Sequence, residues 1–314
     1  MTDQFGDAVV ETRGITKAFG TVTAVKDLNL SVPRGAVFAY LGPNGAGKTT
    51  TLRILLSLLH PTRGTSYLFG VKVTPGVPVL RRVGALVERP AFYPYLTARE
   101  NLRVFDCMRD SPPATATSRI DRVLDRVGLT AVASRRVGGF STGMRQRLGV
   151  GLALLDDPPL VILDEPTAGM DPEGMVDIRR LVRELHKQGA TVLLSTHLLD
   201  EAEQVCTHIA LLNRGRLLFS GTLADVLTAK PHLWLRFSSE AEYLDATMAL
   251  RRVGLAAQAD GHLSCRVDGE LDGSSVARLL AQVAVYPAEI ALRRDSLEQL
   301  YFKLAGMAAS GDEA

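Results

Sequence analysis

Short apolar runs bounded by glycine or proline predict buried strands in the first part of the chain. The clearest run is Ala36–Leu41, which lies between Gly35 and Gly42. Because Ala36–Leu41 and Leu160–Leu163 are apolar throughout rather than alternating, they suit strands covered on both faces, as in a mainly parallel sheet. The other runs are Val9-Val10, Val22–Val25, Leu28–Val32, Leu160–Leu163 and Thr191–Ser195.

Helical spacing lies between the strand candidates. Apolar positions recur at helical intervals from Lys48 to Leu59 and stop before Pro61. Another helix is predicted to begin at Asp171-Pro172, where an N-cap residue precedes a proline at the first helical position. Strands that alternate with helices in this way indicate an α/β fold.

The region from about residue 88 to residue 158 is mostly helical by its pattern. Thr97 and Glu100 form a capping box, in which the threonine accepts from the Glu100 amide and the glutamate reaches back. We expect this region to be a helical subdomain within a first domain that spans residues 1–230.

The amino-acid composition and the pattern of strand and helix candidates change near Pro231, which predicts a small α+β domain over residues 231–314. Its order is β-α-β-β-α-β-α, with Asp260-Gly261 as a hairpin turn, and this order suggests a split β-α-β, ferredoxin-like arrangement. A packing or dimer-stabilising role and a regulatory or ligand-sensing role both remain open. The segments are Leu233–Phe237, Ala241–Arg252, Leu255–Gln258, Leu263–Val267, Ser275–Val283, Ala288–Leu292 and Asp295–Leu304.

Composition narrows the class of protein only slightly. The 314 residues are 46% hydrophobic and 22% charged with a net charge of +2, which is ordinary for a globular protein and gives no basic stripe for nucleic acid. No apolar run approaches the roughly 18–20 residues that span a bilayer, and no secretory signal is visible at the N-terminus. Cys107, Cys206 and Cys265 are odd in number and far apart, which favours a reducing cytosol.

The segment Gly42–Thr49, here called the phosphate loop, fits the pattern G-x-x-x-x-G-K-[ST]. Its glycines let successive backbone N–H groups turn inward around phosphates, and the following helix adds its positive N-terminal end. Lys48 is placed to reach the β- and γ-phosphates of ATP, and the Thr49 hydroxyl to bind Mg²⁺. The residues predicted to contact the nucleotide are Gly42, Pro43, Asn44, Gly45, Ala46, Gly47, Lys48, Thr49 and Thr50.

Two acidic residues end the apolar run at Leu160–Leu163. Strand alternation sends the side chains of Asp164 and Glu165 in different directions. Asp164 suits the Mg²⁺ shell, and Glu165 suits the orientation and deprotonation of an attacking water. A solvated acidic pair is the plainer alternative, but the phosphate loop favours catalysis.

His197 and Ser141 are weaker candidates. His197 ends the strand candidate in Ser195-Thr196-His197, where ligands sit in such sheets, and can hydrogen-bond a γ-phosphate. Ser141 opens a helix, which makes an anion site, although an ordinary N-cap explains it equally well.

Taken in order, these motifs resemble the ATP-binding subunits of ATP-binding cassette (ABC) transporters over roughly residues 9–230. The resemblance implies a P-loop cassette with a mainly parallel sheet, an antiparallel β part and an inserted helical subdomain. It implies that Phe19 stacks on adenine, unless Phe19 is a core ring, and that Met170-Asp171 communicates between opposing sites. It also implies that Ser141 and Gly143 of one chain complete the site opened by Lys48 of another.

Two departures from the family pattern stand out. The usual signature is Leu-Ser-Gly-Gly-Gln, and three of its five residues are replaced in the segment Phe140–Met144, which keeps Ser141 and Gly143. Glu88 stands where most members carry glutamine, and it offers a further hard oxygen to Mg²⁺. Cassettes with glutamate here are similar to drug, peptide-antibiotic and lantibiotic exporters, as is the tail Ser296–Tyr301.

The resemblance implies several partners. A second cassette, as a homodimer, and a separate transmembrane permease are expected, with the chain in the cytoplasm, peripheral on the inner face of the cell membrane. The permease contact is expected around Glu88–Tyr95, and no nucleic acid is expected. An importer subunit remains an alternative, as does a soluble cassette ATPase of DNA repair or translation, although heptad runs and a second phosphate loop are not visible.

Overall fold

The computed structural model describes residues 7–88, 90–108, 112–227, 232–268, 272–293 and 296–311. The chain divides into two compact units: the first consists of the chain up to Leu223 and from Leu304 onward, and the second runs from Ala224 to Lys303. The predicted boundary at 230/231 lies outside the described residues. Each unit has its own buried apolar cluster.

An antiparallel sheet opens the first unit, with the strand order β2-β1-β4-β5. Its two long strands pair along their length, but the register shifts several times, and Asp27 adopts a left-handed φ of 49°. The prediction of separate short strands was therefore wrong, because these irregularities break the apolar alternation within continuous strands. The first elements are β1 (Ala8–Phe19), β2 (Val22–Pro33), β3 (Val37–Leu41), α1 (Lys48–Leu55), β4 (Arg63–Leu68) and β5 (Val71–Lys72).

A six-stranded sheet forms the centre of the first unit, in the order β10-β9-β3-β8-β7-β6. The sheet is parallel except for β10, which pairs antiparallel with β9. The remaining elements are β6 (Val83–Leu86), α2 (Ala98–Asp106), α3 (Ala116–Arg126), α4 (Thr142–Ala153), β7 (Leu160–Asp164), α5 (Pro172–Lys187), β8 (Thr191–Thr196), α6 (Leu199–Val205), β9 (His208–Asn213) and β10 (Arg216–Thr222), followed by α7 (Leu223–Leu227), in which the second unit begins. The predicted α/β fold, with a mainly parallel sheet and an antiparallel β part, is thus confirmed.

Register brings the ends of the central strands to one edge of this sheet. Leu41 at the end of β3 pairs with Thr196 of β8, and Asp164 at the end of β7 pairs with Ser195. Because the strands are parallel, the chain leaves each of them at this same edge. The edge therefore collects the loops that carry the candidate chemistry.

Helices α2, α3 and α4 occupy the region predicted to be helical. The capping box is present, since the Thr97 hydroxyl accepts from the Glu100 amide at 3.2 Å and the Thr97 amide donates to Glu100 Oε2 at 2.8 Å. Short 3₁₀ helices are also present in the first unit, at Pro78–Arg82, Pro113–Thr115, Thr130–Val132 and Val137–Gly139. Helix α1 ends at Leu55 rather than Leu59, because Ser57 turns to a left-handed φ of 58°.

The second unit is built on a four-stranded antiparallel sheet in the order β12-β13-β11-β14. Its core lies between this sheet and the apolar faces of its helices, around Leu235, Leu250 and Leu280. The predicted start of the last helix at Asp295 lies outside the described residues. The elements are β11 (His232–Arg236), α8 (Glu240–Arg252), β12 (Ala257–Ala259), β13 (Ser264–Val267), α9 (Gly273–Ala281), β14 (Glu289–Arg293) and α10 (Leu297–Gly311), which begins in this unit.

Candidate active site

The phosphate loop runs from the end of β3 into the first two residues of α1, and two of its glycines are required by close backbone packing. A Cβ on Gly42 would lie 2.6 Å from the Leu212 carbonyl oxygen. One on Gly47 would lie 2.4 Å from the Ala24 carbonyl oxygen, and Gly47 also has a φ of 99°. Side chains do not fit at either position, so glycine is required at both for the loop to keep this conformation.

Lys48 is the cation at the centre of the loop. Its side chain is only 6% exposed, and its Nζ donates to the carbonyl oxygens of Gly42 at 2.7 Å and Pro43 at 3.2 Å. The same nitrogen lies 3.3 Å from Glu165 Oε1. A buried ammonium group needs such partners, and here they hold it inside the concave face of the loop.

Asp164, at the end of β7, is held through both of its carboxylate oxygens. The Thr49 hydroxyl donates to Oδ2 at 2.7 Å, and the Ser195 hydroxyl donates to Oδ1. Asp164 is 7% exposed, so these hydrogen bonds replace water around most of the carboxylate. A hydroxyl and a carboxylate oxygen side by side form the hard donor set that Mg²⁺ prefers.

Glu165 is the first residue beyond β7, and its carboxylate faces Lys48 and His197. Its Oε2 lies 2.7 Å from His197 Nδ1, while its Oε1 faces the lysine. Its backbone is left-handed, with a φ of 48°, and its amide donates to both the carbonyl and the hydroxyl oxygen of Ser195, each at 3.1 Å. The structure therefore gathers Lys48, Thr49, Asp164, Glu165 and His197 at one edge.

Glu88 lines a cleft together with Thr49, Asp164 and Glu165. Its carboxylate forms an ion pair with Arg53, which lies one helical turn after Thr49 on α1. Glu88, two residues beyond the end of β6, also has a left-handed φ of 69°. The position predicted to face the metal therefore carries a carboxylate with a cationic partner.

Ser141, Gly143 and Asp171 lie together in a different cleft, which Lys48 does not line. Ser141 is the N-cap of α4 and accepts from the Met144 amide at 3.2 Å. Asp171 is the N-cap of α5 and accepts from the Gly174 amide at 2.9 Å. Within one chain, these residues are placed at helix N-termini rather than in the Lys48 cluster.

Phe19, at the end of β1, is 48% exposed, and Lys17 Nζ lies 5.0 Å from the centre of its ring. It is therefore not a core residue. An exposed aromatic ring is available for stacking.

Sequence reasoning missed Ser195, Arg53 and the hydrogen bond from Thr167 to Glu201 Oε2 at 2.8 Å. Ser195 alone gave a signal, because a serine inside a fully buried strand must find a hydrogen-bond partner. The partner itself depends on the register between β7 and β8, which a single sequence does not reveal.

A phosphate loop between a central parallel strand and a helix, with acidic residues beyond a nearby strand, defines a P-loop nucleoside triphosphatase. A family model described as ABC transporter matches residues 25–168. The chain is 36% identical over 304 residues to the bacitracin transport ATP-binding protein BcrA of Bacillus licheniformis, covering 95% of this chain and 97% of that protein. The chain therefore belongs to the ATP-binding proteins of ABC transporters, and it is an ATPase.

A second relative and two solved structures agree with this assignment. The daunorubicin/doxorubicin resistance ATP-binding protein DrrA of Streptomyces peucetius is 34% identical, covering 95% of this chain and 92% of that protein. An ATP-binding subunit of an ABC transporter superposes with a TM-score of 0.63 at 32% identity, covering 69% of this chain and 91% of that one. A dimeric cassette bound to ADP and Pi superposes with a TM-score of 0.62 at 26% identity, covering 68% and 98%.

Across the residues that the structure describes, no helix combines the length and apolar character needed to cross a membrane.

Proposed function

We propose that this chain hydrolyses ATP to power a separate membrane permease that exports a drug or an antimicrobial peptide. The observation that carries hydrolysis is the placement of Glu165 between Lys48 and His197, at 3.3 Å and 2.7 Å. Export is supported by similarity over nearly the whole chain to proteins named for bacitracin transport and for daunorubicin resistance.

The roles of the side chains follow from their positions. Lys48 and the loop amides bind the β- and γ-phosphates, and Glu165 orients the attacking water and takes its proton. His197, 2.7 Å from Glu165, holds that carboxylate in place and can donate to the γ-phosphate. Phe19 is assigned to adenine stacking.

The residues present fit a Mg²⁺ ion bound together with the nucleotide. Thr49 and Asp164 would hold it, with Glu88 at the edge of the same cleft. The described residues contain no group of three histidine, cysteine or acidic side chains able to hold a metal ion, so phosphate oxygens and water would complete the shell. When bound, the ion neutralises charge on the phosphates during transfer.

The cleft of Ser141, Gly143 and Asp171, which Lys48 does not line, supports a composite site. We assign these residues to the nucleotide held by Lys48 of a second copy, in a homodimer. The N-terminus of α4 suits this assignment, because its free amides and helix dipole favour phosphate. The dimer would lie in the cytoplasm against the inner face of the membrane, with the segment Glu88–Tyr95 contacting the permease.

The region 231–314 is assigned to an accessory α+β domain with a ferredoxin-like arrangement. Its strand order β12-β13-β11-β14 is that of a split β-α-β sheet.

Affinity purification from the native host's membranes tests the proposed function. Copurification of a hydrophobic multi-helix protein, together with increased susceptibility to bacitracin or daunorubicin on deletion of the gene, is the expected result. Restoration of resistance by wild type but not by Lys48→Ala would tie the phenotype to ATP binding. Copurification of ribosomes or DNA without a membrane protein would favour a soluble cassette ATPase, and loss of solute uptake on deletion would favour an importer.

A further inference from the structure

We propose that Ser195 is a positioning residue that sets the direction of the Asp164 carboxylate and holds the backbone of Glu165. The inference deepens the proposed function, and it rests on the assignment of Asp164 to Mg²⁺. Ser195 belongs to the buried strand β8 and makes no contact with solvent, being 0% exposed. It acts through two acidic neighbours rather than on the nucleotide.

The first role of Ser195 concerns Asp164. Its hydroxyl donates to Oδ1, while Thr49 donates to Oδ2 from the other side at 2.7 Å. With each oxygen held by a different strand or helix, the carboxylate cannot rotate without breaking a charge-assisted hydrogen bond. The Oδ2 oxygen therefore stays beside the Thr49 hydroxyl, as a shared metal site requires.

The second role concerns the residue that follows. The Glu165 amide donates to the Ser195 hydroxyl at 3.1 Å and to the Ser195 carbonyl oxygen at 3.1 Å. Glu165 has a left-handed φ of 48°, which a residue with a side chain adopts only when its surroundings impose it. This pair of hydrogen bonds fixes that backbone and so fixes the start of the Glu165 side chain.

A buried serine often serves only to satisfy its own polar group, usually on a nearby backbone carbonyl. The hydroxyl of Ser195 instead donates to the Asp164 carboxylate on the neighbouring strand and accepts from the amide of Glu165. One side chain thus links the two acidic residues, because Asp164 and Ser195 are register partners.

Threonine and valine at position 195 provide a matched pair of variants. They have nearly the same shape: threonine adds one methyl group to serine, and valine carries a second methyl group in place of the threonine hydroxyl. The hydroxyl alone therefore separates Ser195→Thr from Ser195→Val. Two quantities are measured: the affinity for Mn²⁺ in the presence of ADP, by electron paramagnetic resonance, and kcat and KM for ATP. Relative to Ser195→Thr, we expect Ser195→Val to weaken Mn²⁺ binding and lower kcat, each about tenfold, the size of one lost charge-assisted hydrogen bond.

ADP binding without metal should be equal in the two variants, because neither Lys48 nor the phosphate loop changes. Equal Mn²⁺ affinity and equal kcat in folded Ser195→Thr and Ser195→Val would overturn the inference. If the added methyl group prevents folding, Ser195→Ala is compared with wild type and should show the same losses.

Thr191→Val is the control for a general loss of a buried hydroxyl. Thr191 lies in the same strand, is 1% exposed and accepts from the Gly35 amide at 2.9 Å, at the edge of the sheet opposite the site. Its replacement should lower the melting temperature while leaving Mn²⁺ affinity unchanged. If Thr191→Val weakens Mn²⁺ binding as much as Ser195→Val does, the effect is structural and the inference fails.

Mn²⁺ binding by the wild-type protein distinguishes a wrong metal assignment from a wrong role for Ser195. If wild type with ADP binds no Mn²⁺, the metal assignment falls and the inference falls with it. If wild type binds Mn²⁺ and Ser195→Val binds it equally well, only the inference about Ser195 is lost.

Discussion

At the scale of single residues, the cluster around Lys48 carries charges that partner one another. Lys48 faces Glu165, and Asp164 is held by the hydroxyls of Thr49 and Ser195. Burial of an unpaired charge costs several kcal/mol, so each of these groups depends on its partner. A substitution at one of these residues therefore removes its charge or hydrogen bond and also shifts the partner side chain that is left.

Replacement of Glu165 by glutamine tests its proposed role as a base. The amide keeps the size of the side chain but cannot take a proton, so kcat should fall by roughly 100-fold or more, while ATP still binds. With hydrolysis blocked, an ATP-bound dimer should accumulate and elute earlier in size-exclusion chromatography with ATP. Hydrolysis at the wild-type rate would show that another group is the base.

Replacement of Glu88 by glutamine tests the unusual carboxylate. ATP affinity should remain largely intact, because Glu88 lies outside the phosphate loop, while hydrolysis or its coupling to transport should change. Arg53→Gln is the matched variant, since it removes the other half of the ion pair. The pair is partly exposed, so its direct contribution to stability is about 0–1 kcal/mol. Equal ATPase rates and equal resistance in wild type and Glu88→Gln would show that the carboxylate has no special role.

At the scale of elements, the starts of two helices could be predicted from the sequence, whereas the long irregular strands could not. Thr97 and Asp171 cap helices as predicted, because a cap depends on residues three positions apart. Strands β1 and β2 were predicted only in pieces, because their pairing tolerates register shifts that no local pattern records. For the same reason, the role of Ser195 could not be predicted, because its hydrogen-bond partner Asp164 lies on another strand.

The capping box of α2 should contribute measurably to stability. Thr97→Ala should lower the free energy of unfolding by about 1 kcal/mol, and Thr97→Ser should retain most of it. Backbone and side-chain hydrogen bonds with Thr97 lower the pKa of Glu100. A lowered pKa stabilises the fold above the pKa of the unfolded carboxyl, and this contribution disappears as the pH falls through the folded pKa.

Urea unfolding at neutral and acidic pH measures both effects. Because the backbone amide of residue 97 still donates to Glu100 in Thr97→Ala, the pH-dependent part is measured with Glu100→Ala. The difference between wild type and Glu100→Ala should narrow at acidic pH, where the wild-type carboxyl is protonated in the folded and unfolded states. A difference that does not vary with pH would indicate that Glu100 takes no part in the cap.

At the scale of the whole molecule, the three cysteines differ sharply in accessibility. Cys107 is exposed, whereas burial raises the pKa of the Cys206 thiol to about 12 and that of the Cys265 thiol to about 11. Because only the thiolate reacts, iodoacetamide at pH 8 should modify Cys107 alone in the native protein. Intact mass should show one adduct, rising to three in denaturant. A second adduct under native conditions would reveal opening of a core that the structure shows closed.

The parallel register at the edge of the central sheet also decides where the chain tolerates changes in length. Deletion of one residue inside β8 would move every later side chain of that strand to the opposite face and separate Ser195 from Asp164. Deletion in the turn before Thr191 leaves that pairing in place. Natural relatives should therefore differ in length in the loops between the strands and hardly ever within the strands. Inserted peptide tags should likewise be tolerated in those loops and not within the strands.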